Sequence, residues 1–152
     1  MMEEFPIDRA TIVTIAIPCL NEEAHITACL ESVSAFQLPP STAMEVFVLD
    51  GMSTDRTRNL VEAYLRVDPR VKLIDNRERI QSAAMNTAIK MAQGDWVLRL
   101  DAHTYYPDDY LYHCLITARR TGAANTGGRW QTRPGGTNYG AEVVQAITTH
   151  RF

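Results

Sequence analysis

Thr11-Ile-Val-Thr-Ile-Ala-Ile17 runs into Pro18-Cys-Leu-Asn-Glu-Glu23, and the stripe Ile26, Leu30, Val33 and Phe36 leads on to a second apolar run, Glu45-Val-Phe-Val-Leu-Asp50. The two runs are rich in β-branched and aromatic residues, which suit a pleated, buried surface. The stripe between them recurs at i, i+4, i+7 and i+10, the spacing of one helix face. Strand, helix and strand in that order make a βαβ unit, which requires a parallel pair. The same alternation continues outward along the chain. Leu60, Val61, Tyr64 and Leu65 form a second stripe before a short run at 71–74. Ala84, Ala88, Met91 and Ala92 form a third before a run at 95–101, with Gly94 in the place of a helix C-cap. A weaker run at 123–127 is expected to add a fifth strand. The expected class is α/β, a mostly parallel sheet with helices on both faces.

Composition agrees with a folded domain and excludes several kinds of partner. Of 152 residues, 45% are hydrophobic and 22% charged, enough apolar side chain to offset the entropy of ordering the backbone. Fifteen Lys and Arg against 18 Asp and Glu leave a net charge of −3, so no basic excess is available for a run of phosphates and nucleic acid is not an expected partner. Cys19, Cys29 and Cys114 are widely spaced and form no C-x-x-C pair, so reduced, buried thiols are expected. The first residues, Met-Met-Glu-Glu-Phe-Pro, are acidic where a signal peptide would be basic. The longest apolar stretch, 12–20, falls short of the ~20 residues that span a bilayer. A cytoplasmic location is expected.

In an open parallel sheet, ligands bind beyond the carboxyl ends of the strands, where strand order reverses. The residues after the first run contain no glycine, and the chain has no Gly-Lys-Ser/Thr loop there, which argues against a dinucleotide fingerprint and a P-loop. After the second run, Asp50-Gly-Met-Ser-Thr-Asp-Arg-Thr57 reads as a turn and a helix start, with Ser53 or Asp55 capping. Asp50 ends a buried strand and is expected to face the crevice, where a carboxylate needs a partner such as a nucleobase N–H. In Trp96-Val-Leu-Arg-Leu-Asp101, alternation sets Trp96, Leu98 and Leu100 on one face and Val97, Arg99 and Asp101 on the other; His103 joins the latter if the chain stays extended. An acid and an imidazole so spaced suit a divalent metal, although two ligands alone do not make a site. Arg99 is expected to meet an anion on the crevice face, with Asp101 too adjacent to explain it fully. Asp108 and Asp109 read as helix-start carboxylates. His25 and His113 read as packed or solvated, and Arg77 and Arg79 as surface charges.

Four segments in order resemble the family 2 glycosyltransferases of the GT-A fold. They are Ile17-Pro-Cys-Leu-Asn-Glu-Glu23, Val48-Leu-Asp-Gly-Met-Ser-Thr-Asp55, Ser82-Ala-Ala-Met-Asn86 with Ala92-Gln-Gly-Asp95, and Leu98-Arg-Leu-Asp-Ala-His103. The last is most similar to the exopolysaccharide, succinoglycan-type branch. The resemblance implies transfer of a sugar, with inversion, from a nucleotide-diphosphate donor, most often UDP-linked, to a saccharide or lipid-linked acceptor in polysaccharide biosynthesis. It implies donor contacts at Pro18, Asn21, Glu22, Asp50, Asn86 and Arg99. It puts the metal-binding pair at Asp101 and His103, with His103 replacing the family's second Asp and Met85 standing where an Arg is frequent. With an imidazole in the set, Mn²⁺ is expected over Mg²⁺. In a full-length protein of this kind, a peripheral place at the inner face of the membrane is expected.

Residues 1–10 are expected to be a lead-in, 11–130 the nucleotide-sugar-binding domain, and 131–152 the start of an acceptor-side region cut short. No carboxylate beyond the fourth run is a convincing base for the acceptor hydroxyl, so the chain is expected to bind donor without transferring sugar, and to self-associate through its cut edge. Three other readings compete. A haloacid-type phosphotransferase is suggested by Asp101 and Thr104 but lacks its nucleophile after the first run. A receiver-like module lacks the late Lys. A nucleotide-binding module without activity stays open.

Overall fold

The computed structural model describes residues 10–128. Four strands, β1 (Thr11–Cys19), β2 (Thr42–Asp50), β3 (Val71–Asp75) and β4 (Trp96–Arg99), alternate with α1 (Ile26–Ser34), α2 (Thr57–Tyr64), α3 (Gln81–Met91) and α4 (Tyr110–Thr121). The sheet is wholly parallel in the order β3-β2-β1-β4. The chain therefore builds outward from β1 to β3 and then returns to the far side of β1 for β4. Strand order reverses between β1 and β4, which places the crevice at their carboxyl ends.

Side-chain alternation divides the core between the two faces. Val13, Ile15 and Ile17 of β1 and Val46 and Val48 of β2 pack with Ile26, Leu30, Val61, Leu111 and Leu115, so α1, α2 and α4 cover one face. Trp96, Leu98 and Leu100 join that cluster, as their alternation predicts. Ala16, Phe47 and Leu49 point the other way and meet Ala84 and Ala88 of α3. The α1 stripe is buried as spaced, Phe36 included. Met91 departs from its stripe: it is the last residue of α3, belongs to neither cluster and is exposed.

Two other expectations are corrected. Residues 123–127 form no strand. Helix α4 stops at Gly122 in the left-handed region (φ 68°), and the Thr126 hydroxyl donates to the Cys114 carbonyl, folding the segment back on the helix. Its Ala, Asn and Gly residues also have low strand preference. Gly94 is not a helix cap; α3 is capped at Ala92. Glycine is required at 94 by close approach, since a Cβ there would lie 2.5 Å from the Ile12 carbonyl oxygen. Expectations for residues 1–9 and 129–152, among them the acceptor-side region and its cut edge, lie outside the described residues.

The three cysteines are buried free thiols, as expected. Asp108 and Asp109 stand at the start of α4 but neither caps it by a side chain. Asp108 instead accepts from the Gln37 amide at 2.7 Å, and Asp109 lies 3.5 Å from His113. His25 and His113 are exposed.

At the base of the fold, Asp68 is buried and takes a two-pronged bond from Arg70 at 2.8 and 2.6 Å, plus the Ser34 hydroxyl at 2.7 Å. The Arg70 guanidinium holds the Asp68 carboxyl well below the usual carboxylate range. A depressed folded pKa stabilises the fold above the unfolded value, near 4, and that stability is lost as pH falls below it. Asp68→Asn should therefore cost about 1–3 kcal/mol at pH 7. Urea melts at pH 6 and pH 3 should show a smaller acid loss in the variant than in the parent; equal losses would remove Asp68 from the acid response.

Candidate active site

The loop after β1 is stitched to the loop after β2. Successive backbone N–H groups of Asn21, Glu22 and Glu23 donate to the Ser53 hydroxyl at 2.9 Å, the Thr57 hydroxyl at 2.8 Å and the Asp55 carboxylate at 3.1 Å. In return, Asn21 Oδ1 accepts from the Thr54 N–H and the Glu23 carboxylate from the Arg56 N–H. Asn21 and Met52 sit at φ 55° and 61°, a region that short polar Asn tolerates better than Met. Asp55 does accept the Thr57 N–H at the start of α2, but Ser53 is drawn to the neighbouring loop and to Asp50 rather than to its own helix.

Asp50 is fully buried, and its partners are supplied by the protein. Arg58 donates to it at 2.8 Å, and Ser53 donates through both its N–H and its hydroxyl. The carboxylate thus has protein partners of its own here: α2 begins seven residues on and brings Arg58 back over the strand end. Arg58 also reaches Asp75 at 2.9 Å, tying β2 to β3.

Beyond β4 the chain does not stay extended. A turn closed by the Thr104 N–H on the Asp101 carbonyl carries His103 round, and the Tyr106 hydroxyl accepts from the Asp101 N–H at 2.7 Å. Burial pushes the Tyr106 phenol up to about 12, so it stays protonated. The same turn lets Asp101 swing back to Arg99, whose Nη2 donates to it at 2.8 Å. Arg99 therefore finds its anion at i+2 after all, half exposed on a strand at the edge of the described sheet. With the Gln81 amide turned to face it, Arg99 also donates to the Gln81 oxygen at 2.8 Å. His103 Nδ1 lies 3.2 Å from Glu22 Oε1, which joins the loops after β1 and β4 across the crevice.

These loops enclose a pocket of about 200 Å³. Pro18, Cys19, Leu20 and Glu22 form one wall; Asp101, Ala102 and His103 a second; Asn76, Arg79, Ile80 and Gln81 a third. Of the residues singled out in the sequence, Pro18, Glu22, Asp101 and His103 meet here. Asn21 and Asp50 stand behind the wall as loop anchors, Arg99 touches it through Asp101 and Gln81, and Asn86 is exposed on α3 away from it. Arg79, taken from the sequence as a surface charge, lines the pocket. The rule that directs attention to residues after each strand applies equally after β3, and would have found Asn76 and Arg79. Cys19 is no nucleophile: burial and the carboxylates of Asp50 and Glu22 push its thiol up to about 12.

Among the described residues, no three His, Cys, Asp or Glu side chains gather as a metal cage. Asp101 and His103 fit a different kind of site, one in which the protein gives one or two ligands and substrate phosphates give the rest. His103 is exposed to the pocket, and the Glu22 contact engages Nδ1, leaving Nε2 for an ion.

A parallel sheet whose strand order reverses at a pocket lined by an acid, an imidazole and a guanidinium is the arrangement of the GT-A fold, and solved structures of that fold superpose on it. The mannosyltransferase PcManGT from Pyrobaculum calidifontis, in complex with GDP-Man and Mn²⁺, superposes with a TM-score of 0.65 at 29% identity, covering 74% of this chain and 33% of its own. Residues 1–349 of S. aureus TarS in complex with UDP give 0.62 at 25% identity over 79% of this chain and 38% of that one. Residues 14–149 match glycosyl transferase family 2, and the chain belongs to that family. It is 46% identical over 111 residues to the succinoglycan biosynthesis protein ExoA of Rhizobium meliloti (strain 1021), covering 72% of this chain and 33% of that protein. The chain thus spans about a third of that relative's length. Among the described residues, no helix is long and apolar enough to cross a membrane.

Proposed function

We propose that the pocket at the carboxyl ends of β1 and β4 binds a nucleoside-diphosphate sugar, UDP-linked, for inverting transfer to a saccharide or lipid-linked acceptor in polysaccharide biosynthesis, at the inner face of the membrane. The observation that carries this is the convergence of Pro18 and Glu22 from one loop with Asp101 and His103 from another, where Glu22 and His103 are 81 residues apart, at the reversal of strand order. Relatives bearing UDP, or GDP-Man with Mn²⁺, support it. In this reading Pro18 and Glu22 face the nucleoside, with Asp50 and Asn21 holding their loop in shape. Asp101 and His103 hold a divalent ion, Mn²⁺ in preference to Mg²⁺ because imidazole suits the softer ion. The ion neutralises charge developing on the nucleoside-diphosphate leaving group.

Because the protein supplies at most two ligands, Mn²⁺ should bind weakly alone and well only with the nucleotide. Calorimetric titration of UDP should give at least tenfold tighter binding with Mn²⁺ than without, and His103→Ala should remove most of that gain. No heat from UDP under either condition would sink the proposal. An undiminished Mn²⁺ gain in His103→Ala would remove His103 from the ligand set.

A further inference from the structure

We propose that Arg79 is the diphosphate-binding side chain of this pocket, presented by a backbone turn that would be more relaxed without it; the inference rests on the nucleotide reading above. Arg79 sits at φ 58°, a left-handed conformation disfavoured for a long side chain. Its neighbours hold it there. The Arg79 N–H donates to the Asn76 carbonyl at 3.0 Å, and the buried Asn76 amide donates to the Ile80 carbonyl at 3.0 Å. Asn76 is itself fixed by its N–H on the Asp50 carbonyl at 2.8 Å. An outlier so firmly held, at a pocket wall, is where strain and function coincide.

Charge supports the same conclusion. Three arginines at this edge have carboxylates, whereas among the described residues Arg77 and Arg79 in the loop after β3 do not: Arg56 has Glu23, Arg58 has Asp50 and Asp75, and Arg99 has Asp101. Among the described residues, no ion pair engages Arg79, although it shares the pocket with Glu22, Asp101 and His103. In the loop after β1, the N–H groups of Asn21, Glu22 and Glu23 are taken by side chains and are not open to a phosphate. An anion here can be met by a side chain, by the proposed cation or by the start of α3. That helix opens on the same wall at Ile80 and Gln81 without a side-chain cap. A guanidinium across from Asp101 and His103 suits a diphosphate whose other oxygens face a metal.

The backbone supplies an unusual test, because glycine prefers the conformation that Arg79 is forced to adopt. Arg79→Gly should leave the thermal midpoint unchanged or raised, keep the affinity for uridine, and weaken UDP about tenfold. Arg79→Lys should fall between, since an ammonium keeps the charge but not the fork. Unchanged UDP affinity in Arg79→Gly would overturn the inference. So would a parallel loss of uridine binding, or a midpoint several degrees lower, either of which would mark Arg79 as a structural residue. A parent that binds uridine as tightly as UDP would overturn this inference alone, whereas a parent that binds neither would overturn the nucleotide reading with it.

Discussion

Replacing Asp50 with alanine is expected to lower the stability of the domain by about 3 kcal/mol. The carboxylate has no exposure to water and receives Arg58, the Ser53 N–H and the Ser53 hydroxyl. Removing it strands a guanidinium and two Ser53 donors at the end of β2. Removing one partner of a buried pair costs about 3–5 kcal/mol, and the low end applies because Arg58 is partly exposed and keeps Asp75. The damage should spread to the pocket, since Ser53 also holds the Asn21 N–H. Asp50→Asn keeps the shape and should lose less. Urea unfolding of both variants measures this; an alanine variant as stable as the parent would show that the Arg58 bond contributes nothing.

Gly94→Ala is expected to cost about 3 kcal/mol, the upper part of the range for overpacking. The added methyl would stand 2.5 Å from the Ile12 carbonyl oxygen and 3.0 Å from its carbon and from the Thr14 hydroxyl. Two of these three atoms are backbone of the central strand, which cannot turn aside as a side chain can. The Ile12 carbonyl is also held in place by the Asp95 N–H at 2.9 Å. Relief therefore requires β4 to move away from β1 at the start of their register. Denaturant melts report the loss, and an unchanged midpoint would mean that the strand pair has slack at this point.

The fold was legible wherever a side-chain pattern was dictated by burial. The α1 stripe, the alternation of β4 and the two covered faces follow from periods of 3.6 and 2, which do not depend on distant residues. Gly94 was placed correctly as a special position but for the wrong reason, because close approach of two backbones leaves no trace in a single segment. The run at 123–127 failed for a related cause: its apolar content is carried by small alanines, and what decides its path is a bond from Thr126 to the preceding helix. At the site, position after a strand points to Asp101 and His103 and the family resemblance to Pro18 and Glu22, and all four line the pocket. Asp50 was seen as a buried carboxylate, yet its partner Arg58 lies on the next helix and nothing local announces it. Arg79 was hidden because a left-handed arginine looks in sequence like any other surface arginine.

The return of the chain from β3 to the far side of β1 also has a consequence for how the molecule forms. β1 pairs with β2, which follows it after a short crossover, but its other edge waits for β4, at Trp96–Arg99. As the chain leaves the ribosome, the half-sheet of β1, β2 and β3 can assemble while β1 is still its bare edge strand, an interval in which a foreign strand could add instead. The crevice is closed only when that last pairing forms, because one wall emerges early and the opposite wall some 80 residues later. A half-made domain therefore has no crevice for the proposed nucleotide to enter, and the pocket arrives only with the final long-range closure of the sheet.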